Sequence, residues 1–233
     1  MSVVVRGAWP WPGALSLAAG LAVLDAARTV AAGPVPLAVD WPNDVVWRAG
    51  ADERDERRPA PGTPPSEAPK VAGILIEGRL APAAEGAPDA AYVVGLGVNV
   101  RGALDPALRA ERPVATLADL GMATTPEELG TALHAALAAR VLPLAEAATD
   151  SSAFGLAAGA VCTAYLEAAG LALGAEALVA VHDAPASADR ILHQGTLRAF
   201  GPGGLTLEPR AGTSPGALRH VPLEHVAGLT PVY

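Results

Sequence analysis

Two apolar runs broken by glycine do most to limit what this chain can fold into. Val71 to Leu80 carries Gly73 among branched residues, and Tyr92 to Val100 carries Gly95 and Gly97. Both read as buried sheet strands, joined through the Ala and Pro-containing stretch Ala81 to Ala91 as a hairpin-like pair, with glycine where backbone must come close to something. Upstream, Trp41-Pro42-Asn43-Asp44 separates the short strands Leu37 to Val39 and Val45 to Trp47. Its proline removes an amide donor and pushes the preceding residue to extended geometry, so the turn belongs at a strand end.

The remaining pattern completes an α+β reading. Ser2 to Arg6 is a short β-branched strand, and Leu15 to Arg28 repeats apolar residues at helical spacing after a Pro-Gly entry. Thr125-Pro126-Glu127-Glu128 is a capping box with proline at the first helical position, opening a helix to Arg140 or beyond. A further helix covers Leu156 to Ala169. Ala51 to Pro69 is charged, Pro-rich and without apolar period, as a disordered loop is. After Gly170 come short strands with turn signals, at Ala177 to Val181, Ile191 to Phe200, Leu205 to Glu208, Leu218 to Pro222 and Val226 to Leu229, which read as a small β-barrel. The division expected is 1–169 for a mixed sheet packed by helices and 170–233 for the barrel.

Composition excludes several functions. A net charge of -8 with no basic cluster argues against binding nucleic acid through its phosphates. The apolar stretches are interrupted short of the length a spanning helix needs, and Met1 to Arg6 lacks the features of a signal peptide, so no membrane segment is expected. A single cysteine, Cys162, forms no internal disulfide, which makes a reducing cytoplasm the expected compartment and a buried apolar role the expected use. The histidines, four of them at 182, 193, 220 and 225, show no metal-ligand spacing.

One lysine, Lys70, stands against fifteen arginines. With Asn43 and Asp44 before it and Gly73, Gly95, Gly97 and Asn99 after it, the chain sets a carboxamide, a carboxylate and a point positive charge beside glycine-punctuated strands. That combination suits a nucleotide or acyl-adenylate, where backbone must approach the ligand and a cation must meet phosphate. Each residue also has a plainer reading. Asn43 and Asp44 serve an Asx-type turn, the glycines serve bulges, Asn99 ends a strand, Lys70 is a surface lysine, and Trp41 packs in the core.

In order along the chain, the Trp-Pro-Asn-Asp turn, the Lys-x-Ala-Gly-Ile-Leu-x-Glu strand from Lys70 to Glu77 and the Gly-x-Gly-x-Asn strand from Gly95 to Asn99 resemble bacterial biotin protein ligases. Leu15 to Val23, Ala115-Thr116-Leu117 and the terminal strands extend the resemblance over nearly the whole chain. It implies a class II synthetase-like catalytic domain followed by an SH3-like barrel, and a ligase that uses ATP to turn biotin into biotinyl-adenylate and passes it to a lysine of a biotin carboxyl carrier domain of an acyl-CoA carboxylase. Matched position by position, Lys70 contacts the biotin carboxylate and the α-phosphate. Asn43 and Asp44 lie on the phosphate side, with Asp44 toward Mg2+. Gly73 offers backbone to biotin, Gly95 and Gly97 leave room for it, and Asn99 bonds the nucleotide. Monomer and homodimer both stay open.

Three departures from the pattern accompany this resemblance. Relatives carry an upstream Ser/Thr segment and an arginine and glycine-rich adenylate loop, and Met1 is expected to fall at an internal strand, so the catalytic domain is expected to be incomplete. Asp40 stands where relatives place a lysine, reversing a charge beside phosphate. Positions 45 to 69 hold a long insertion, tolerable because closure entropy grows slowly with loop length. The alternative is a non-catalytic module of the same fold that binds nucleotide or a partner; a lipoate-attaching enzyme fits the motif spacing less well.

Overall fold

The computed structural model describes residues 1–7, 9–48, 68–81, 89–104, 112–182, 190–209 and 218–231. Most of the stretch expected to be disordered, and the centre of the 81–91 connection, lie outside those residues. The last two positions of the former stretch are structured: Ala68 is buried and the Pro69 carbonyl accepts from the Trp47 amide at 2.8 Å.

Ten strands and three helices follow in chain order among the described residues: β1 Ser2–Arg6, α1 Gly13–Val30, β2 Leu37–Asp40, β3 Asp44–Trp47, β4 Lys70–Ala81, β5 Asp89–Val98, α2 Pro126–Ala147, α3 Ser151–Ala168, β6 Glu176–His182, β7 Arg190–Gly201, β8 Gly204–Pro209, β9 Arg219–Val221 and β10 Val226–Pro231. The first sheet runs β1-β5-β4-β3-β2 and the second β10-β6-β7-β8-β9. Every strand pair is antiparallel, where the sequence suggested a mixed first sheet. Strands β2 to β5 follow one another in the sheet in chain order, each running antiparallel to the last. Among the described residues, the parallel element is one bridge, Lys70 to Val114.

One face of the first sheet buries Val45, Val71, Ala72, Ile74, Val94 and Leu96. Against it lies α1, whose Leu15, Leu17, Leu21, Val23 and Leu24 are all buried, because helices α2 and α3 cover the side turned away from the sheet. At 18 residues α1 is long and apolar enough to cross a bilayer, yet 67% of it is buried inside the fold, the condition of a core helix. The capping box forms as read: the Thr125 hydroxyl accepts from the Glu128 amide at 3.2 Å, while the Glu128 carboxylate accepts from the Thr125 amide at 2.9 Å. Asp150, unnoticed in the sequence, caps α3 by accepting from the Ser152 and Ala153 amides.

The second sheet joins the first through Trp41. Its indole Nε1 donates to the Val226 carbonyl at 2.8 Å, and its ring meets Tyr165 and Phe200 edge-on at 6.0 and 5.8 Å. This is the packing role expected of Trp41. Within the second sheet, β7 and β8 approach so closely at Gly195 that a Cβ there would run into the Glu208 carbonyl oxygen and sit 3.0 Å from its carbon. Neither backbone can yield without opening the ladder. Gly195→Ala is therefore expected to lower stability by about 1 to 3 kcal/mol, read as an earlier urea midpoint with unchanged slope. An unaltered midpoint would show the two strands to be further apart.

Candidate functional site

The register of the first sheet builds the site. Asp40 pairs with Asp44, Asp44 with Gly73, and Gly73 with Gly97, so these four lie in one row across β2, β3, β4 and β5. Paired residues share a face, and the face is the one turned away from α1. Two residues along, Leu75 pairs with Gly95 and Gly95 with Ser2. Glycine at 73, 95 and 97 strips side chains from that face, leaving an open groove of about 420 Å³ lined by Lys70, Gly73, Leu75, Gly95, Gly97 and the first two residues.

Lys70 reaches the same row through an irregularity. The ladder between β3 and β4 slips between Val45 and Val46, opposing Val45 to Ala72 but Val46 to Lys70. Its backbone is fixed on the other side, where its amide donates to the Pro113 carbonyl at 2.9 Å and its carbonyl accepts from the Ala115 amide at 3.0 Å. From there the ammonium lies 2.5 Å from Asp44 Oδ1. Gly73 makes this possible, since a Cβ at that position would stand 2.8 Å from Lys70 Nζ and 2.9 Å from its Cε.

Asp44 meets a second cation that the sequence reading missed. Arg112 Nη1 donates to Asp44 Oδ2 at 2.5 Å. The two contacts are equally close and differ in alignment: the guanidinium makes a well-directed hydrogen bond, whereas the ammonium meets Oδ1 as a close ion pair. No spacing in the sequence ties Arg112 to Asp44, 68 positions away; the one hint was its place three residues before Ala115-Thr116-Leu117.

Asn43 and Asn99 have backbone duties. The Asn43 carboxamide donates to the Ile74 carbonyl at 2.8 Å and its own carbonyl accepts from the Ile74 amide, closing the turn onto β4. Asn99 Nδ2 lies 3.2 Å from the Ala115 carbonyl and 3.4 Å from that of Lys70, and its backbone bonds Val71 and Leu117. It locks the junction from which Lys70 projects. So the structure brings Lys70, Gly73, Gly95 and Gly97 to one groove, pairs Asp44 with Lys70 at its edge, and engages the side-chain amides of Asn43 and Asn99 with backbone carbonyls.

Burial foremost, and then the Asp44 carboxylate across the pair, pushes the Asp40 carboxyl up to about 6. Tyr165, fully buried with no hydrogen-bond partner for its hydroxyl, is held well above the usual phenol range by the same burial and by both carboxylates. Because the folded chain holds the Asp40 proton more tightly than the unfolded chain, this group's contribution to stability is full below the ordinary value of 3.8 and is lost as pH rises through about 6. Asp40→Asn removes that loss. Two units correspond to at most about 3 kcal/mol, and partial exposure brings the expected gain at pH 8 to about 1 to 2 kcal/mol. Thermal melts at pH 4 and pH 8 check it: wild type and variant should agree at the first and diverge at the second.

Asp44 as a magnesium ligand does not fit this geometry, because both carboxylate oxygens already face cations and a third positive charge would be repelled. Among the described residues no three His, Cys, Asp or Glu side chains gather where they could hold a metal ion. Cys162 is buried on α3 and burial pushes its thiol up to about 12, which removes it as a nucleophile. His193 and His220 are engaged in the second sheet, with Arg219 and with the Gly203 carbonyl.

No protein-family model matches the chain. Over 117 residues it is 34% identical to biotin--[acetyl-CoA-carboxylase] ligase of Paracoccus denitrificans, covering 49% of this chain and 39% of that protein. Over 117 residues it is 35% identical to the enzyme of the same name from Mycobacterium tuberculosis, covering 50% and 31%. The matched segment thus spans under two fifths of each curated relative. In fold, the chain is similar to the apo biotin protein ligase of Aquifex aeolicus, with a TM-score of 0.54 and 16% identity over 99% of this chain and 83% of that one. An arginine-to-glycine mutant of the Aquifex enzyme in complex with biotin gives the same TM-score at 18% identity, over 99% and 78%. The sequence relatives and the fold neighbours carry one family name, the one the motifs resemble.

Proposed function

We propose that this chain is a biotin protein ligase, which activates biotin with ATP and transfers it to a lysine of a biotin carboxyl carrier domain in the cytoplasm. The observation that carries the reading is the single lysine lining a glycine-floored groove, its ammonium paired with Asp44 at the groove's edge. The curated relatives and fold neighbours named above support the same reading.

In the first step an oxygen of the biotin carboxylate attacks the α-phosphorus of ATP. The bond to the bridging oxygen breaks, and pyrophosphate leaves with the electron pair. Negative charge gathers on the phosphoryl oxygens, and Lys70 is the groove side chain able to neutralise it. In the second step the carrier lysine, as a neutral amine, attacks the acyl carbon; AMP leaves with the pair and the new amide loses a proton. Gly95 and Gly97, which line the groove without side chains, leave the acyl and nucleotide parts room to lie against backbone.

Pyrophosphate release by the purified chain tests the reading. Release that needs both biotin and ATP, with biotin then appearing on an added carrier domain, is the expected result. Tight binding of a non-reactive biotinyl-adenylate analogue without release would transfer the assignment to a non-catalytic binding module, and neither binding nor release would sink it.

A further inference from the structure

We propose that Arg112 is a positioning residue that keeps Asp44 hydrogen-bonded when Lys70 turns from it to an anionic ligand in the groove. This rests on the reading of the groove as a site for phosphate and carboxylate chemistry.

The geometry sets the three groups in series. Lys70 lines the groove; Asp44 and Arg112 do not, and the carboxylate lies between the two cations. The Asp44 side chain is only 12% exposed, and it faces Asp40 across the strand pair. A carboxylate so placed is costly to strand without a partner. Were Lys70 its sole cation, the ammonium could serve a ligand only by abandoning a nearly buried charge beside a second acid. Arg112 removes that obstacle by holding Oδ2 through a hydrogen bond of its own. The two cations also repel each other, so each weakens the other's attachment to Asp44, and Lys70, the one that lines the groove, is the one an anion there can draw away.

The backbone couples the pair further. The parallel bridge at Val114 and the Lys70 bonds to Pro113 and Ala115 zip the Arg112 segment onto the start of β4, and Asn99 clamps both carbonyls. Arg112 and Lys70 are therefore delivered to Asp44 from adjoining backbones, one from each side of the clamp.

A chain with one lysine makes the test direct. Lys70 is acylated with an N-hydroxysuccinimide ester at fixed pH, with Nα-acetyl-lysine in the same tube as reference, and the rate is read by peptide mass spectrometry. Arg112→Ala and Arg112→Gln leave the ammonium as the sole counter-charge, and are expected to slow acylation about tenfold and to raise about tenfold the inorganic pyrophosphate needed for half-protection, a change of about 1.4 kcal/mol. Arg112→Lys restores both values, and Asp44→Asn speeds acylation. The proposal is overturned if the Arg112 variants acylate at the wild-type rate, if Asp44→Asn changes nothing, or if pyrophosphate protects all forms alike or fails to protect the wild type. Wild-type protection without biotin-dependent pyrophosphate release would instead sink the ligase reading while the role of Arg112 stands.

Discussion

Lys70→Ala is expected to abolish biotin-dependent pyrophosphate release, a loss of at least a hundredfold, and about a thousandfold if the site is closed from water. Removing one preorganised donor from developing charge costs about 3 to 4 kcal/mol in a desolvated site, and less where water can substitute. Here the groove is open, so the lower end is the floor of the expectation. The substitution leaves the fold in place. The backbone bonds of Lys70 to Pro113 and Ala115 do not involve its side chain, and Asp44 retains Arg112. Melting temperature should stay within a few degrees of wild type while turnover disappears, and that dissociation is the measurement to make: pyrophosphate release beside a thermal melt on the same sample. Turnover within threefold of wild type would mean that the transition-state charge is met elsewhere, and Lys70 would revert to a surface lysine with an acidic neighbour.

What the sequence disclosed is what local chemistry encodes. The capping box at Thr125 and Glu128 needs no information beyond four residues, and it forms as read. The glycines of β4 and β5 announced a face cleared of side chains, and the register puts three of them on one groove. Lys70, by contrast, was legible as a residue but not as a geometry. Simple alternation from Gly73 would place position 70 on the opposite face, and only the slip between Val45 and Val46 brings its ammonium to Asp44. Arg112 left only its place just before Ala115-Thr116-Leu117 as a trace, since the segment that carries it is joined to β4 by one bridge and no periodicity. The asparagines were legible as site residues but their backbone contacts were not, for a related reason. A carboxamide in a motif reads as a ligand donor, and the structure adds that Asn43 and Asn99 donate from their amides to the Ile74, Ala115 and Lys70 carbonyls.

Gly73→Ala should separate position from stability more sharply than any other single change. A methyl at 73 would meet Lys70 Nζ at 2.8 Å and Cε at 2.9 Å, distances that real Cβ atoms do not hold, while Asp44 Oδ1 would be 3.6 Å away in ordinary contact. The atoms in the way are the far end of a flexible side chain, not backbone, so relief comes from swinging the ammonium off Asp44 rather than from opening the sheet. The stability cost should then be under about 1 kcal/mol, the worth of a partly exposed ion pair, and alanine fits a strand at least as well as glycine. Activity should fall by about a hundredfold, because a reacting group displaced by an ångström loses much of the benefit of being held in place. Gly97→Ala is the control. Its methyl would find only the Gly73 carbonyl, at 3.9 Å, and would narrow the groove without touching Lys70. The first variant should lose turnover at saturating biotin and ATP, the second chiefly affinity for them. Should Gly73→Ala unfold the chain instead, or lose affinity with turnover intact, the ammonium is not what Gly73 makes room for, and the glycine belongs to the ligand's floor alone.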